Sequence, residues 1–254
     1  MPSPFDLSGQ VAVVTGARRG IGAGIAVALA EAGADIVGVS ATLEESGSVV
    51  QKTVEQTGRR FTAYRADFSD RDAVKRLTDD ITANHGTVDI LVNNAGDIRR
   101  SPAVDYTDED WDHVVQVDLT AQFTLARNLG RRMVECGRGK IVFTASLLSF
   151  QGGLNIVAYT AAKSGIAGMT KALANEWAAH GVNVNAVAPG YIETDNTAPL
   201  RNDPARFKAI SDRIPAGRWG TPADIGGAVV FLASSAANYV HGVTLPVDGG
   251  WLGR

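Results

Sequence analysis

Short apolar, β-branched runs alternate with longer amphipathic stretches along nearly the whole chain. The runs Val11–Thr15, Asp35–Val39, Arg60–Arg65, Asp89–Val92, Lys140–Ser146, Asn183–Val187 and Thr244–Val247 predict strands. Each is mostly apolar from end to end, the pattern of strands covered on both faces. Helical patterns fall between them, around Ile21–Ala32, Leu43–Thr57, Asp70–His85, Asp108–Cys136, Val157–His180 and Pro222–Ser234. Strand–helix alternation on this scale implies right-handed crossovers and a parallel sheet with helices on both faces. The expected fold is therefore α/β, a doubly wound parallel sheet of Rossmann type. No repeat, low-complexity tract or linker interrupts the pattern, so residues 1–254 are expected to form a single domain.

The first predicted strand runs into Thr15-Gly16-Ala17-Arg18-Arg19-Gly20-Ile21-Gly22, followed by a small-residue helical pattern. Strand, glycine turn and helix N-terminus together make an anion site. Backbone N–H groups and the positive end of the helix dipole point at a phosphate, and glycine lets the ligand approach. The spacing Gly-x-x-x-Gly-x-Gly is a variant of the dinucleotide fingerprint. By itself it is equally a tight turn without a ligand. Its strand–helix context favours the nucleotide reading.

A second constellation lies further on. Tyr159 precedes Lys163 by four residues and follows Ser146 by thirteen. Residues four apart share a helix face. A free tyrosine titrates at about 10. A nearby ammonium favours the phenolate and is expected to bring that value down, toward the range useful for acid/base catalysis. Ser146 can hydrogen-bond the same substrate oxygen. A Tyr–Lys pair on a helix also arises by chance. What sets this one apart is that Thr15–Gly22, Asn93–Gly96, Ser146 and Pro189–Gly190 all fall at predicted strand ends, where ligands bind in such sheets.

Composition narrows the field. The net charge of −3 gives no electrostatic footprint for nucleic acid or an anionic membrane, and neither is an expected partner. No apolar stretch is long enough to span a bilayer, and Met1–Asp6 has no basic start of a leader. The single cysteine, Cys136, excludes an internal disulfide and suits a cytoplasmic protein. His85, His113, His180 and His241 are scattered without ligand spacing, so no metal is expected.

The set Thr15–Gly22, Asn93-Asn94-Ala95-Gly96, Ser146, Tyr159-x-x-x-Lys163 and Pro189-Gly190 resembles the short-chain dehydrogenase/reductase family, over essentially the whole chain. That resemblance implies Tyr159 as proton donor or acceptor, Ser146 as the group positioning the carbonyl or alcohol, and Lys163 as the ribose ligand that tunes the tyrosine. It implies cofactor contacts from Gly16, Arg19, Gly20, Ile21, Gly22, Ser40, Asp67, Asn94, Ala95, Gly96, Pro189, Gly190, Ile192 and Thr194, along with Tyr159 and Lys163. One position departs from the family pattern. Relatives usually carry an Asn whose main chain holds a water in a proton relay to the lysine, and Asp118 stands there. A carboxylate cannot donate as an amide does. The expectation is a relay that survives through the main-chain carbonyl, with Asp118 counted among the catalytic residues.

Within the family the second half resembles members that act on sugar acids, through Ser149–Gly153, Ala174–Trp177, Ala188–Ile192, Arg213–Gly220 and Val247–Trp251. The reaction this implies moves a hydride between a nicotinamide cofactor and a secondary alcohol or ketone of a sugar acid, such as 2-dehydro-3-deoxy-D-gluconate or 2-deoxy-D-gluconate. Arg99 and Arg100, just past a strand end, are candidates for the substrate carboxylate, which arginine binds through paired hydrogen bonds. Gln151 and Tyr191 are further substrate candidates. Resemblance to the sugar-acid members implies NAD, with NADP the alternative: no acid follows the second strand at Ser40, and Arg18 and Arg19 suit a 2′-phosphate, yet Ala41 stands where many NADP-preferring relatives have an arginine. Resemblance also implies a homotetramer. A 3-oxoacyl or other carbonyl reductase, and a nucleotide-binding sensor without catalysis, are the competing readings.

Overall fold

The structure, a computed structural model, describes residues 3–254; Met1 and Pro2 of the N-terminal segment read above lie outside the described residues. Seven strands form one sheet: β1 (Val11–Thr15), β2 (Asp35–Val39), β3 (Phe61–Tyr64), β4 (Ile90–Asn93), β5 (Gly139–Thr144), β6 (Val182–Pro189) and β7 (Thr244–Val247). Their order is β3-β2-β1-β4-β5-β6-β7, and every pair is parallel. The helices are α1 (Gly20–Glu31), α2 (Val49–Gln56), α3 (Arg71–His85), α4 (Asp108–Val115), α5 (Ala121–Cys136), α6 (Val157–Trp177), α7 (Ala198–Arg201), α8 (Pro204–Ser211) and α9 (Pro222–Ala233).

Alternation along the strands builds two cores. Side chains of successive strand residues leave opposite faces. Val13, Leu91, Ile141 and Phe143 accordingly pack with α3, α5 and α6, while their neighbours Ala12, Val14, Val92 and Val142 pack with α1, α2 and α9. With both faces of the central strands covered, their runs are mostly apolar, and buried polar residues such as Asn183 and Asn185 are hydrogen-bonded. A third, smaller cluster of Leu147, Ile210, Ile214, Trp219 and Trp251 sits beyond the strand ends. The strand order reverses between β1 and β4, so a crevice opens there at the carboxyl ends.

The predicted elements differ from the observed ones in instructive places. The helix expected from Leu43 begins only at Val49. Gly47 has φ +75°, and the Ser48 side chain accepts the Gln51 N–H to cap the helix. The expected strand through Ser146 ends at Thr144, where the chain leaves the sheet for a 3₁₀ turn at Leu147–Ser149. The single helix expected over Asp108–Cys136 is broken by a π turn at Gln116–Thr120. α7 and α8 were not anticipated, although Asp203 followed by Pro204 is a helix start: the Asp203 carboxylate accepts from Ala205 and Arg206 N–H.

Candidate active site

One hydroxyl joins the strand ends at the crevice. Thr15 Oγ1, at the end of β1, accepts the N–H groups of Asn94 and Ala95 at 2.9 Å each. Asn94 in turn donates to Thr15 O at 3.0 Å and accepts from Thr144 Oγ1 at 3.3 Å. The carboxyl ends of β1, β4 and β5 are thereby tied together. Gly16 follows with φ +69°, a left-handed conformation that other residues adopt only with strain. A Cβ at Gly22 would lie 2.6 Å from Asn94 Nδ2, so the turn closes only because that residue is glycine.

Helix α1 starts at this turn without a side-chain cap: its N-cap, Arg19, makes no capping hydrogen bond. The unsatisfied first-turn N–H groups open onto a cavity of about 380 Å³ lined by Gly16, Gly20, Ile21 and Gly22 on one side and Asn94, Ala95, Gly96, Tyr159 and Lys163 on the other. Free donors at a helix N-terminus, beside a glycine turn, fit the pyrophosphate of a dinucleotide. At the far end the cavity meets Ser40, Ala41, Thr42 and Asp67. The Asp67 carboxylate is occupied by Ser69 N and Oγ, at 2.9 and 2.7 Å. Arg18 is paired with Glu44 at 2.8 Å. Arg19 reaches across the mouth to Asp195 at 2.9 Å, linking the glycine turn to the segment after β6, where Thr194, Asp195 and Asn196 also line the cavity.

Tyr159 and Lys163 stand one turn apart on α6, with Lys163 Nζ 5.4 Å from the phenol ring centroid. Lys163 is only 2% exposed and donates to Thr144 O at 2.9 Å. Its own carbonyl accepts from Ser149 Oγ at 2.7 Å. Ser146 opens the 3₁₀ turn: its hydroxyl accepts from Leu148 N–H, and Ser149 Oγ accepts from Ser146 N–H. The serine, tyrosine and lysine are therefore fixed by one compact network between β5 and α6.

The expected fall in the Tyr159 pKa is reversed in the protein without cofactor. Burial raises it, and the Asp118 charge raises it further. Lys163, the Ser146 hydroxyl and Arg100 pull it down without prevailing. The phenol is thus a proton donor near neutrality. Asp118 lies within the π turn and is fully buried. Its Oδ1 accepts the Asp97 N–H at 2.7 Å, and its Oδ2 stands 3.7 Å from Lys163 Nζ. Burial outweighs that ammonium and lifts the carboxyl to about 6.

Other candidates lie elsewhere. Pro189, Gly190 and Ile192 do not line the cavity. Ile192 is buried under Gly220 through a parallel bridge, and Gly190 lies against Asp248. Gln151 and Tyr191 are brought together through Trp251: Trp251 Nε1 donates to Gln151 Oε1 at 3.3 Å, and the Tyr191 ring centroid lies 4.7 Å from that of Trp251. Of the arginine pair, Arg99 is engaged by Asp97 at 3.1 Å, with Asp110 and His113 nearby. Arg100 has no ion pair among the described residues, and its charge reaches the Tyr159 phenol. Sequence reading missed Thr144, Ser149, Asp97 and His113. Thr144 holds Lys163 through a backbone carbonyl, which carries no side-chain signal.

Known proteins share this architecture. A family model described as Enoyl-(Acyl carrier protein) reductase matches residues 16–252. The 2-dehydro-3-deoxy-D-gluconate 5-dehydrogenase of Pseudoalteromonas atlantica is 56% identical over 254 residues, covering 100% of both chains. The protein of the same name from Bacillus subtilis is 54% identical over 250 residues, covering 98% of this chain and 97% of that one. A solved structure from Agrobacterium tumefaciens with bound NADP, described provisionally as a 2-deoxy-D-gluconate 3-dehydrogenase, matches with TM-score 0.93 and 51% identity over 100% of both chains. Likeness of this degree from end to end, over an open glycine turn and a Ser–Tyr–Lys network, places the chain in the short-chain dehydrogenase/reductase family, as an NAD(P)-dependent oxidoreductase.

Proposed function

We propose that this oxidoreductase acts on a secondary alcohol or ketone of a sugar acid, with 2-dehydro-3-deoxy-D-gluconate and 2-deoxy-D-gluconate the first substrates to test. The observation that carries the reading is end-to-end likeness to relatives named for a sugar acid, 56% and 54% identical, and Arg100, a cation without an ion pair among the described residues, is the candidate partner for the carboxylate.

Each residue of the site has a task on this reading. The uncapped first turn of α1, with Gly16, Gly20 and Gly22, would hold the cofactor pyrophosphate, and Lys163 would bind its ribose. A nicotinamide cofactor bound there would supply the hydride for ketone reduction or accept it in alcohol oxidation. Ser146 orients the substrate oxygen by hydrogen bonding. Tyr159 gives its proton to that oxygen as a ketone is reduced and takes it back as an alcohol is oxidised. Lys163, anchored on Thr144 O, favours the phenolate during the exchange. Pro189, Gly190 and Ile192 lead from β6 into the segment carrying Thr194 and keep the cofactor contacts that the family resemblance implies. The whole chain is taken as one domain. A homotetramer built through α4, α5 and α6 fits the part-exposed Trp111 and Phe123 on α4 and α5, and a free Cys136 suits a cytoplasmic setting.

The test is a panel of sugar acids and their uncharged analogues, oxidised or reduced with NAD and NADP while absorbance of the reduced nicotinamide is followed. Turnover of a sugar acid well above that of its uncharged analogue is expected. Preference for a 3-oxoacyl thioester would overturn the reading.

A further inference from the structure

Asp118 carries a charge that the chemistry above leaves unused. Its Oδ2 has no hydrogen-bond partner although the side chain is fully buried. A Cβ at Gly96 would lie 3.2 Å from that oxygen, so the residue packed over it contributes no side chain. The hydrogen bond from Asp97 N–H could be accepted equally well by the carbonyl oxygen of an amide, so this contact does not account for a carboxylate. What a carboxylate adds is negative charge, placed where low dielectric makes it effective.

We propose that Asp118 is a positioning residue acting through Lys163: its carboxylate offsets part of the ammonium charge and so sets the pH at which Tyr159 passes from proton donor to proton acceptor. This rests on the reading of Tyr159 as the acid/base. The groups around Asp118 are Lys163 and Tyr159 from α6, Asp97 and its partner Arg99 from the loop after β4, Tyr106 before α4, and His113 of α4, which is bonded to Asp97 at 2.9 Å. Among them Lys163 draws the phenol toward ionisation and Asp118 opposes it. With the carboxylate charged, the phenol keeps its proton to higher pH and the site is biased toward ketone reduction. With an amide there, Lys163 is unopposed and the phenolate forms at lower pH.

The test compares wild type, Asp118→Asn and Tyr159→Phe in two readouts. One is ultraviolet titration of tyrosine in the cofactor-free protein, taking the signal lost in Tyr159→Phe as that of Tyr159. The other is the pH dependence of kcat for alcohol oxidation, whose alkaline rise reports the phenolate. Asp118→Asn should move both midpoints down together, by about one pH unit. Unchanged or raised midpoints in a folded Asp118→Asn protein would overturn the inference while leaving Tyr159 its role. Retained turnover in Tyr159→Phe would instead overturn the acid/base assignment. Should Asp118→Asn fail to fold, Asp118→Ser takes its place, since it also removes the charge and leaves an oxygen able to accept the Asp97 N–H; the same two readouts and the same outcomes then decide.

Discussion

The two ends of the active-site crevice are built on different principles. The cofactor end is made of backbone: the glycine turn, the uncapped start of α1 and the strand ends tied by Thr15 and Asn94. On the side proposed for the substrate, beyond the strand ends, the chain builds instead with side chains from distant stretches. Trp251 at the C-terminus meets Gln151 after β5 and Tyr191 after β6, Trp219 from before α9 packs on Tyr191, and Arg213 stacks over Trp251 at 3.9 Å. Backbone recognition needs a short, contiguous segment with fixed spacing. Side-chain recognition needs the whole chain folded. Related enzymes can therefore keep one end while exchanging the other.

Tyr159 stands at the boundary, and its removal is the largest effect expected. Tyr159→Phe keeps the ring and α6 but loses the exchangeable proton. Turnover should fall roughly 10²–10⁴-fold, the usual contribution of a positioned acid/base, while cofactor affinity measured by titration calorimetry stays within about twofold of wild type, since the pyrophosphate site is backbone. A variant running at half the wild-type rate would show that the proton comes from another group. A variant that loses cofactor binding would show that the two ends are not separable at this residue.

The same division explains what could be read from the sequence. All strands of the sheet were legible, because the central strands, buried on both faces, read as mostly apolar β-branched runs, and the shorter edge strands β3 and β7 follow the same alternation with helices. Gly16, Gly20 and Gly22 were legible for a related reason: a left-handed turn and a close approach to Asn94 leave little choice of residue. Leu43 misled because it is buried without being helical. It sits in the turn where Glu44 reaches Arg18. The π turn around Asp118 left no trace in the periodicity, since one wider turn barely disturbs an apolar stripe. The Tyr159 pKa was misjudged in sign because spacing reveals the nearby lysine but not the burial that outweighs it. Arg99 and Arg100 were indistinguishable in sequence. Only folding shows that Asp97 and Asp110 take up the first and leave the second.

That asymmetry gives the second prediction, which sharpens the contrast at the substrate end. Arg100→Ala should raise KM for a sugar acid roughly ten- to a hundredfold, corresponding to the ~1.5–3 kcal/mol of a charge-assisted hydrogen bond. The change should leave kcat nearly intact, because the contact is uniform between ground and transition states. An uncharged analogue should be nearly indifferent. Arg99→Ala should act less on KM, its guanidinium being already paired. Steady-state kinetics of both variants on both substrates decide the matter. If Arg99→Ala shows the larger and acid-specific rise in KM, the assignment within the pair is reversed.

The smallest effect expected lies at the cofactor end, where side chains border the place of the ribose 2′-position. Ser40, Ala41 and Thr42 border the cavity after β2, with no carboxylate to accept from a ribose 2′-hydroxyl. Arg18 stands beside them, the natural partner of a 2′-phosphate, but Glu44 already holds it through Nε and Nη2, at 3.3 and 2.8 Å. A 2′-phosphate must compete with Glu44 for that guanidinium, whereas a 2′-hydroxyl need not. Glu44→Gln removes the competitor's charge and leaves its shape, so the preference for NADP over NAD should rise. Both side chains are well exposed, and exposed pairs contribute at most about 1 kcal/mol. The ratio of kcat/KM for NADP to that for NAD should therefore increase by no more than roughly fivefold. Arg18→Ala should move the ratio the other way, and Ser40→Asp should do so more strongly by placing a carboxylate against the phosphate. If Glu44→Gln and Arg18→Ala leave the ratio where it was, the 2′-position is read by backbone alone, and the cofactor end is even more uniform than its contrast with the substrate end requires.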